Sequence, residues 1–412
     1  MKMRIVEITD DLTGAADSGS YFTARGCRMK ICLSGDADLR CDSDELLAIN
    51  LSSRNASKEV AEQVHYELMK MLPREQNQIL MKKIGTGFRG NDAMELNGLL
   101  EASEESVVFL VDHAPDLGTF TLYGNQYCEG EILPKSLYAN DPIMPPTESY
   151  IPDILKHDSK FSIGLVTIDA VKGGRILETV KQELASGKKI IVFDAVTKED
   201  TQQILSALQP IYPNAIWTGS LGIADGLAEY LYGPWEKSKF SVRSLRCFGF
   251  CASAYAICKE QLAYSAERGL KVVEFDVDRL LEGDAKALEE TIQKACYFNR
   301  EHNVMVAPRV EKYSYQPGTS SKILGAIREL SNVLLPQVEL ERLLLVGGET
   351  AQTVFSSIGV EHLKLGRPIA PGVAQGVIFD GILKGTEFAM KGGSMGKKET
   401  LEQMMCKCEV EY

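Results

Sequence analysis

The sequence contains few of the residues that build metal sites and disulfide frameworks. It has five histidines, none of them at ligand spacing, and ten scattered cysteines without a single Cys-x-x-Cys pair. Structural zinc sites need closely spaced thiolates and imidazoles, and disulfide-rich domains need cysteines in a regular pattern. We therefore expect reduced cysteines and no structural metal site.

Long apolar runs and a targeting segment are also missing. No run of about eighteen apolar residues occurs, and the chain enters a strand pattern without a basic leader. The net charge of -12 disfavours nucleic acid and anionic membranes as partners, although convergent arginines can still bind a small anion. We expect a cytoplasmic protein with a small-molecule substrate and no nucleic-acid or membrane partner; a homo-oligomer remains open.

The length of 412 residues exceeds what one hydrophobic core usually supports, which predicts two domains. Hydrophobic residues make up 44% and charged residues 25% of the chain, as is typical of globular proteins. The segment from Leu231 to Ser241 combines Gly, Pro, Trp and charged residues and is typical of a linker. We therefore place one domain at residues 1–240 and the other at residues 241–412.

Apolar runs of strand length alternate with helical patterns in both halves. This alternation predicts two doubly wound α/β domains whose largely parallel sheets are covered on both faces. One predicted helix spans Lys58 to Met71, with an apolar face expected at Val60, Val64, Leu68 and Met71. The other predicted elements are a helix at Ala285–Arg300 and strands at Lys30–Leu33, Leu47–Leu51, Val107–Val111, Ile163–Ile168, Lys189–Phe193, Leu245–Phe250, Lys271–Phe275, Asn303–Ala307 and Arg342–Val346.

The first turn carries two adjacent carboxylates, Asp10 and Asp11, between an apolar run and a run of small residues. This pattern predicts strand, turn and helix, and ligands bind at the carboxyl ends of strands in open α/β sheets. One carboxylate could accept a proton from a hydroxyl while the other helps to hold Mg²⁺. Both residues are also ordinary helix caps, so a purely structural role is the alternative.

Basic residues follow two further predicted strands of the first domain. Arg54 comes shortly after the first of them, Leu47–Leu51, and the second ends in a Gly-rich loop that contains Lys83, Thr86, Arg89 and Gly90. The arginine fork matches a carboxylate, and small residues let backbone amides approach a polyol. We interpret these residues as a binding site for an anionic, hydroxylated substrate. The alternative is that each loop arginine, taken singly, is simply solvated.

In the second domain, Gly347, Gly348, Glu349 and Thr350 follow a buried strand and open a helix. Glycines permit close backbone approach, and a helix start offers free N–H groups to phosphates. No Gly-Lys-Ser/Thr follows, so this is not a Walker loop. A tight structural connection is the alternative, but two other loops, around Ser253 and Gly392, also offer amides and hydroxyls to a nucleotide.

These segments resemble the four-carbon acid sugar kinase family, the ATP-dependent kinases of threonate, erythronate and oxo-tetronates. Thr9–Ala15 is similar to the family's opening A-D-D-x-T-G-A, and Val346–Ala351 to its G-G-E-T-A turn. Further similarities lie at Lys83–Gly90 (K-x-x-S-T-x-R-G), Ala114–Gly124 (A-x-x-x-G-R-T-x-x-x-G), Pro371–Val373 (P-G-V-P) and Lys391–Gly393 (K-x-G-x-x-G).

The resemblance implies ATP and Mg²⁺ as cofactors and an active site in the cleft between the domains. From the acidic elbow itself we predict Asp10 and Asp11 as catalytic residues, with Asp11 as the partner and base of the substrate hydroxyl and Asp10 as its support or a water-mediated Mg²⁺ ligand. The implied substrate residues are Asp11, Arg54, Lys83, Thr86, Arg89 and Gly90, and the implied nucleotide residues are Ser253, Gly347, Gly348, Glu349, Thr350 and Gly392.

The chain departs from the family pattern at four places. Thr86-Gly87-Phe88 stands where the family has Ser-Thr, and Thr119 stands where it has arginine. Cys251 stands where the family has serine, and Ala374 where it has proline. These departures leave a second hypothesis open, a non-catalytic sugar-acid or nucleotide sensor on the same scaffold. Which sugar acid is recognised stays undetermined by the sequence.

Overall fold

The structure is a computed structural model that divides into two compact units, the first of which ends at Trp235. Residues 236–239 of the predicted linker lie outside the described residues. The described residues are 3–42, 44–73, 77–103, 105–140, 144–235, 240–253, 255–309 and 318–410.

The first unit alternates strands and helices. Its strands are β1 (Arg4–Thr9), β2 (Arg28–Cys32), β3 (Glu45–Asn50), β4 (Gln78–Lys83), β5 (Val108–Val111), β6 (Thr119–Leu122), β7 (Asn125–Cys128), β8 (Glu131–Ile132), β9 (Ile163–Val166), β10 (Ile190–Phe193) and β11 (Ile216–Gly219). Its α-helices are α1 (Leu12–Ala24), α2 (Lys58–Met71), α3 (Asp92–Glu101), α4 (Ile151–Lys156), α5 (Ile168–Lys172), α6 (Ile176–Ala185), α7 (Lys198–Leu208) and α8 (Leu221–Tyr232).

Eight of these strands form a parallel sheet in the order β2-β3-β1-β4-β11-β5-β10-β9. The predicted α/β class is therefore confirmed. The chain leaves β1 through α1 towards β2, but it leaves β4 through α3 towards β5, in the opposite direction. Adjacent strands whose connections diverge open a crevice at their carboxyl ends, which is where ligands bind in open α/β sheets. In this sheet the crevice lies at the carboxyl ends of β1 and β4.

Helix α2 has the predicted bounds, but its predicted apolar face is only partly correct: Leu68 is buried as predicted, whereas Val60 and Met71 are not. Val60 and Met71 are 50% and 56% exposed. The side that packs on α3 carries a small residue and a histidine, because Gly98 of α3 approaches the backbone of α2 closely; a Cβ at Gly98 would lie 2.2 Å from the carbonyl oxygen of Glu62. The buried residues of α2 are Ala61, His65, Leu68 and Met69.

The second unit has a mixed sheet. Its strands are β12 (Phe240–Ser244), β13 (Cys247–Cys251), β14 (Lys271–Phe275), β15 (Val304–Pro308), β16 (Arg342–Val346), β17 (His362–Leu365), β18 (Val373–Ile378), β19 (Glu387–Lys391) and β20 (Cys406–Val410). Its α-helices are α9 (Ala256–Ala266), α10 (Val277–Leu281), α11 (Ala285–Asn299), α12 (Thr319–Leu334), α13 (Gly348–Ser357) and α14 (Thr400–Met404).

The main sheet of this unit has the order β14-β15-β13-β16-β19-β18-β17, with β14 to β19 parallel and β18 and β17 antiparallel to their neighbours. The chain leaves β13 through α9 and β16 through α13 in opposite directions. The last residues of three neighbouring strands, Cys251, Val346 and Lys391, are paired in register. The loops that follow β13, β16 and β19 therefore lie side by side at the carboxyl ends of their strands, which is where ligands bind in open α/β sheets.

Three antiparallel features were not predicted from the sequence. These are the small sheet β6-β7-β8, the β12-β20 pair, and the two strands β17 and β18. Their strands are short or carry no clear alternation, so the helix-and-strand pattern of the chain does not separate them from loops.

Candidate active site

The acidic elbow lies where β1 ends and α1 begins. Asp10 is fully buried, whereas the side chain of Asp11 is 20% exposed. The backbone N–H of Gly14 donates to Asp11 Oδ1 over 2.8 Å, so Asp11 is the N-cap of α1. The capping role considered as an alternative is therefore real, and it occupies one oxygen of Asp11.

Arg54, which follows β3, joins the two aspartates. Its Nε donates to Asp10 Oδ2 over 2.6 Å and its Nη2 to Asp10 Oδ1 over 3.0 Å. Nη2 also donates to Asp11 Oδ1 over 2.8 Å. Burial alone would raise the pKa of Asp10, but Arg54 and the nearby Lys82 and Lys83 outweigh it and hold that pKa well below its usual range.

The two aspartates are consequently not equivalent. Both oxygens of Asp10 accept hydrogen bonds from Arg54 in a site without solvent exposure. Within the described parts of the chain, the hydrogen bonds of the Asp11 side chain all use Oδ1. Asp11 Oδ2 therefore belongs to the more exposed carboxylate of the elbow and accepts none of these hydrogen bonds, which leaves it open to a ligand.

The Gly-rich loop after β4 packs directly against this pair. A Cβ at Gly90 would lie 3.5 Å from Asp10 Oδ2, and one at Gly85 would lie 2.8 Å from the carbonyl oxygen of Arg89. Phe88, at φ 51°, occupies the left-handed region that non-glycine residues rarely adopt. Thr86, Arg89 and Gly90 are half-buried, so this loop brings the predicted substrate residues next to the aspartates.

Lys83 is more deeply buried than we expected for a substrate-binding residue in a loop. Its side chain is almost fully buried, and its Nζ donates to the carbonyl oxygen of Ile84 over 2.5 Å. The same Nζ lies 3.7 Å from where a Cβ at Gly14 would stand, which places the ammonium beneath the first turn of α1. Its charge lowers the pKa of Asp10 from that position.

A buried polar network, which the sequence analysis did not identify, supports the site from below. Lys82 Nζ pairs with Glu95 Oε2 over 2.7 Å, and both side chains are fully buried. Ser53, next to Arg54, donates its hydroxyl to Glu95 Oε1. Burial, followed by the charges of Glu95 and Asp10, raises the pKa of Asp92 well above its ordinary value. The signal in the sequence is the pair of lysines that ends the otherwise apolar strand β4.

In the second unit, the loop after β16 begins at Gly347. Its φ of 105° lies in the left-handed region, and its N–H donates to the carbonyl oxygen of Lys391 over 2.9 Å. Gly348 is the first residue of α13, which has no side-chain cap at its start. Glu349 is exposed and Thr350 is buried in the same first turn. The N–H groups at this helix start suit an anionic ligand.

The other two predicted nucleotide loops meet beside this helix start. A Cβ at Gly393 would lie only 2.3 Å from Ser253 Oγ, so the loops containing Ser253 and Gly392 are in contact. Lys391 is fully buried, and its Nζ donates to the carbonyl oxygens of Gly392 and Met395 over 3.0 and 3.1 Å. Lys391 therefore helps to fix the conformation of the loop that follows it.

A thiol lies beneath these loops. Cys258 Sγ is 2.9 Å from the carbonyl oxygen of Gly393 and 3.6 Å from Lys391 Nζ. A hydrogen bond from Cys251, with the charge of Lys391, lowers the pKa of the Cys258 thiol to about 6 despite burial. The Cys258 side chain thus joins the β13 and β19 loops.

One carboxylate-and-imidazole group in the described structure is close enough to hold a metal ion, namely Glu361, His362 and Asp380. Asp380 follows β18, which runs antiparallel to β19. The end of β18 therefore lies beside the start of β19, and this group is at the opposite end of the strands from the three loops. It therefore cannot serve the nucleotide loops. Among the described helices, none combines the length and apolar character that crossing a bilayer requires.

Comparison with known proteins gives two family matches. Residues 5–227 match the model of a sugar-binding N-terminal domain. Residues 250–401 match the model of a nucleotide-binding C-terminal domain. The first match covers the unit with the aspartates and Arg54, and the second covers the unit with the three glycine-containing loops.

Curated relatives cover nearly the whole chain. A D-threonate kinase of Salmonella typhimurium is 25% identical over 98% of this chain and 100% of its own length. A 3-oxo-tetronate kinase of Brucella melitensis is 24% identical (96% and 93%), and a D-erythronate kinase of Heliobacterium modesticaldum is 23% identical (99% and 96%). The crystal structure of a protein from Salmonella typhimurium described as a putative tRNA synthase is 20% identical with a TM-score of 0.80, covering 97% of this chain and 98% of that one. At that identity the structure supports the fold alone.

Proposed function

The chain belongs to the family that joins a sugar-binding N-terminal domain to a nucleotide-binding C-terminal domain, and we propose that it is an ATP-dependent kinase of four-carbon acid sugars. The relatives named for threonate, erythronate and 3-oxo-tetronate support this substrate class. The reaction transfers the γ-phosphoryl group of ATP to the terminal hydroxyl of the sugar acid. We also infer a cytoplasmic location, because ATP is supplied there.

The observation that carries the proposal is the asymmetry between Asp10 and Asp11. Phosphoryl transfer requires a positioned hydroxyl more than a covalent intermediate. Asp11 Oδ2 accepts the substrate hydroxyl and then its proton, while Oδ1 stays fixed by Gly14 N–H and Arg54. Asp10 is fully buried and ion-paired with Arg54 through both oxygens, so its function in this proposal is to hold that guanidinium.

Arg89 is the principal partner of the substrate carboxylate in this proposal. The charge of Arg54 is already balanced by two aspartates at 2.6 to 3.0 Å. Arg89 lies in the next loop and is half-buried, so part of its side chain is open to a ligand. Lys83 adds positive charge from beneath α1. Thr86 and Gly90 supply a hydroxyl and an amide to the polyol.

The second unit holds the nucleotide in this proposal. The phosphates lie at the N–H groups of Gly348 and Thr350, between the loops of Ser253 and Gly392. Mg²⁺ fits this donor set because it prefers phosphate oxygens, waters and one carboxylate, and Glu349 supplies that carboxylate. When bound, the ion neutralises charge on the phosphate chain.

The direct test is turnover with ATP, Mg²⁺ and a panel of aldonates: D- and L-threonate, D- and L-erythronate, and 3-oxo-tetronate. We expect one or more acids to yield a monophosphate, and threitol, the neutral analogue of threonate, to react far more slowly. Binding of an acid or of ATP without phosphorylation of any acid would contradict the kinase and favour the sensor hypothesis.

A further inference from the structure

The side chain of Asn91 departs from the usual role of its position. Asn91 precedes α3 at the N-cap position, where asparagine normally accepts a hydrogen bond from its own helix. No such cap bond is present here. Instead Asn91 Nδ2 donates to the carbonyl oxygens of Ser53 and Ala56 over 2.9 and 3.0 Å, with that of Arg54 at 3.4 Å.

The segment that Asn91 holds is the turn from Ser52 to Ala56. Ser52 has φ 51°, a strained conformation that persists only where surrounding contacts impose it. The N–H of Arg54 donates to the carbonyl oxygen of Asp10 over 3.2 Å, and Ser53 reaches Glu95 through its hydroxyl. Asn91 adds a side-chain donor for the backbone carbonyl groups of Ser53 and Ala56 in this turn.

Asn91 also stands two residues after Arg89. Its side chain therefore ties the loop that carries Arg89 to the turn that carries Arg54. Asn91 is 8% exposed, so water competes little for these hydrogen bonds. Arg54 and Arg89 lie on loops that follow different strands. The distance between them therefore depends on contacts between the two loops, such as those of Asn91.

We propose that Asn91 is a positioning residue for sugar-acid recognition, one that sets the Arg54 turn against the Arg89 loop. The inference rests on the proposed function, because it assigns Asn91 to the sugar-acid side of that reaction. It requires Asn91 itself to touch neither substrate nor nucleotide.

The test replaces Asn91 with alanine and uses Asn97→Ala as a matched control. Asn97 is a fully buried asparagine on α3, and it also ties the helix to a loop: Nδ2 donates to the carbonyl oxygen of Asp158 over 2.9 Å, and Oδ1 accepts from Lys160 N–H over 3.0 Å. That loop is not part of the candidate site. We expect Asn91→Ala to lower kcat/KM for the sugar acid by about 10- to 100-fold while KM for ATP stays unchanged, because small displacements of binding groups have effects of this size.

Amide hydrogen exchange provides a readout that does not depend on activity. Asn91→Ala should accelerate exchange across residues 51–57, and Asn97→Ala should accelerate it around residues 157–161 instead. An unchanged 51–57 segment, or equal losses of sugar-acid kcat/KM in both variants, would overturn the positioning role. If the wild-type protein phosphorylates no sugar acid, the proposed function fails, and exchange still decides whether Asn91 holds the turn.

Discussion

Arg54 and Asp10 form a two-point ion pair at the floor of the candidate site, with contacts of 2.6 and 3.0 Å. The carboxylate is fully buried, and the arginine side chain is 15% exposed. A buried pair of this kind is a weak source of stability, but removing one partner leaves an uncompensated charge. The pair therefore ties the structure of the elbow to the geometry of the proposed substrate site.

The first prediction concerns Asp11. Asp11→Asn keeps the size of the side chain and its capping oxygen but removes the charge, so turnover should fall by about 10²-fold or more while ATP binding persists. A coupled assay and calorimetry with ATP measure the two effects. Asp284→Asn is the matched control, because Asp284 caps α11 through the N–H groups of Lys286 and Ala287 and lies outside the site. Wild-type turnover in Asp11→Asn would leave Asp11 as a helix cap only.

The second prediction separates the two arginines. Arg89→Ala should weaken sugar-acid binding by about 1.5–3 kcal/mol without weakening ATP binding, because a charge-assisted carboxylate contact is lost. Arg54→Ala should in addition lower the free energy of unfolding by about 3–5 kcal/mol, because Asp10 would stay buried and unpaired. Calorimetric titration and urea unfolding measure these quantities. Arg40→Ala, at an exposed arginine, should leave both unchanged. Equal binding of threonate and threitol by the wild type would contradict the role of Arg89.

The third prediction concerns the nucleotide loops. Gly347→Ala places a side chain in a left-handed conformation at φ 105°, with its Cβ 3.1 Å from Thr350 Oγ1. We expect ATP affinity to fall by about tenfold or more, since the N–H groups at the start of α13 shift. Gly385→Ala is the control, because Gly385 also has a positive φ, 88°, but a Cβ there would have nothing within 4 Å. Equal ATP affinity in the two variants would argue against phosphate binding at α13.

The fourth prediction follows from Glu7, which is fully buried and accepts a hydrogen bond from Ser18. Burial raises the pKa of Glu7 from 4.5 to about 8. The folded state thus retains a proton that the unfolded chain releases, and the contribution of Glu7 to stability declines as pH rises from about 4.5 to about 8. Glutamine does not titrate, so the Glu7→Gln variant lacks this pH-dependent loss. The free energy of unfolding of the variant relative to wild type should therefore increase across that window, on the order of 2–4 kcal/mol.

Denaturant unfolding between pH 5 and pH 8.5 measures this difference. Glu274→Gln provides the comparison, because Glu274 is also a strand residue but is 56% exposed. A constant difference between Glu7→Gln and wild type at all pH values would show that Glu7 has an ordinary pKa.

Local sequence patterns predicted those features of the molecule that depend on residues close together in the chain, namely the fold class and the bounds of several strands. Alternating apolar runs and helical periods gave the α/β class, and strands at Lys271–Phe275 and Arg342–Val346 have the predicted bounds. The polar ends of buried strands identified the loops of Asp10, Arg54, Arg89 and Gly347, because strand ends are visible in a sequence. The face of α2 was not predicted correctly at Val60 and Met71. Ala61 and His65 are buried because Gly98 of another helix, α3, approaches α2 closely, and local patterns do not show such a contact.

What the sequence determined by itself is thus the set of loops that can carry chemistry and the kind of groups they offer. Only the tertiary structure decided what each group does. Asp10 and Asp11 are neighbours with the same side chain, and they differ because Arg54, more than forty residues away, occupies both oxygens of one and a single oxygen of the other. Charge balance and burial depend on partners that are distant in sequence, and local patterns contain no record of such pairings.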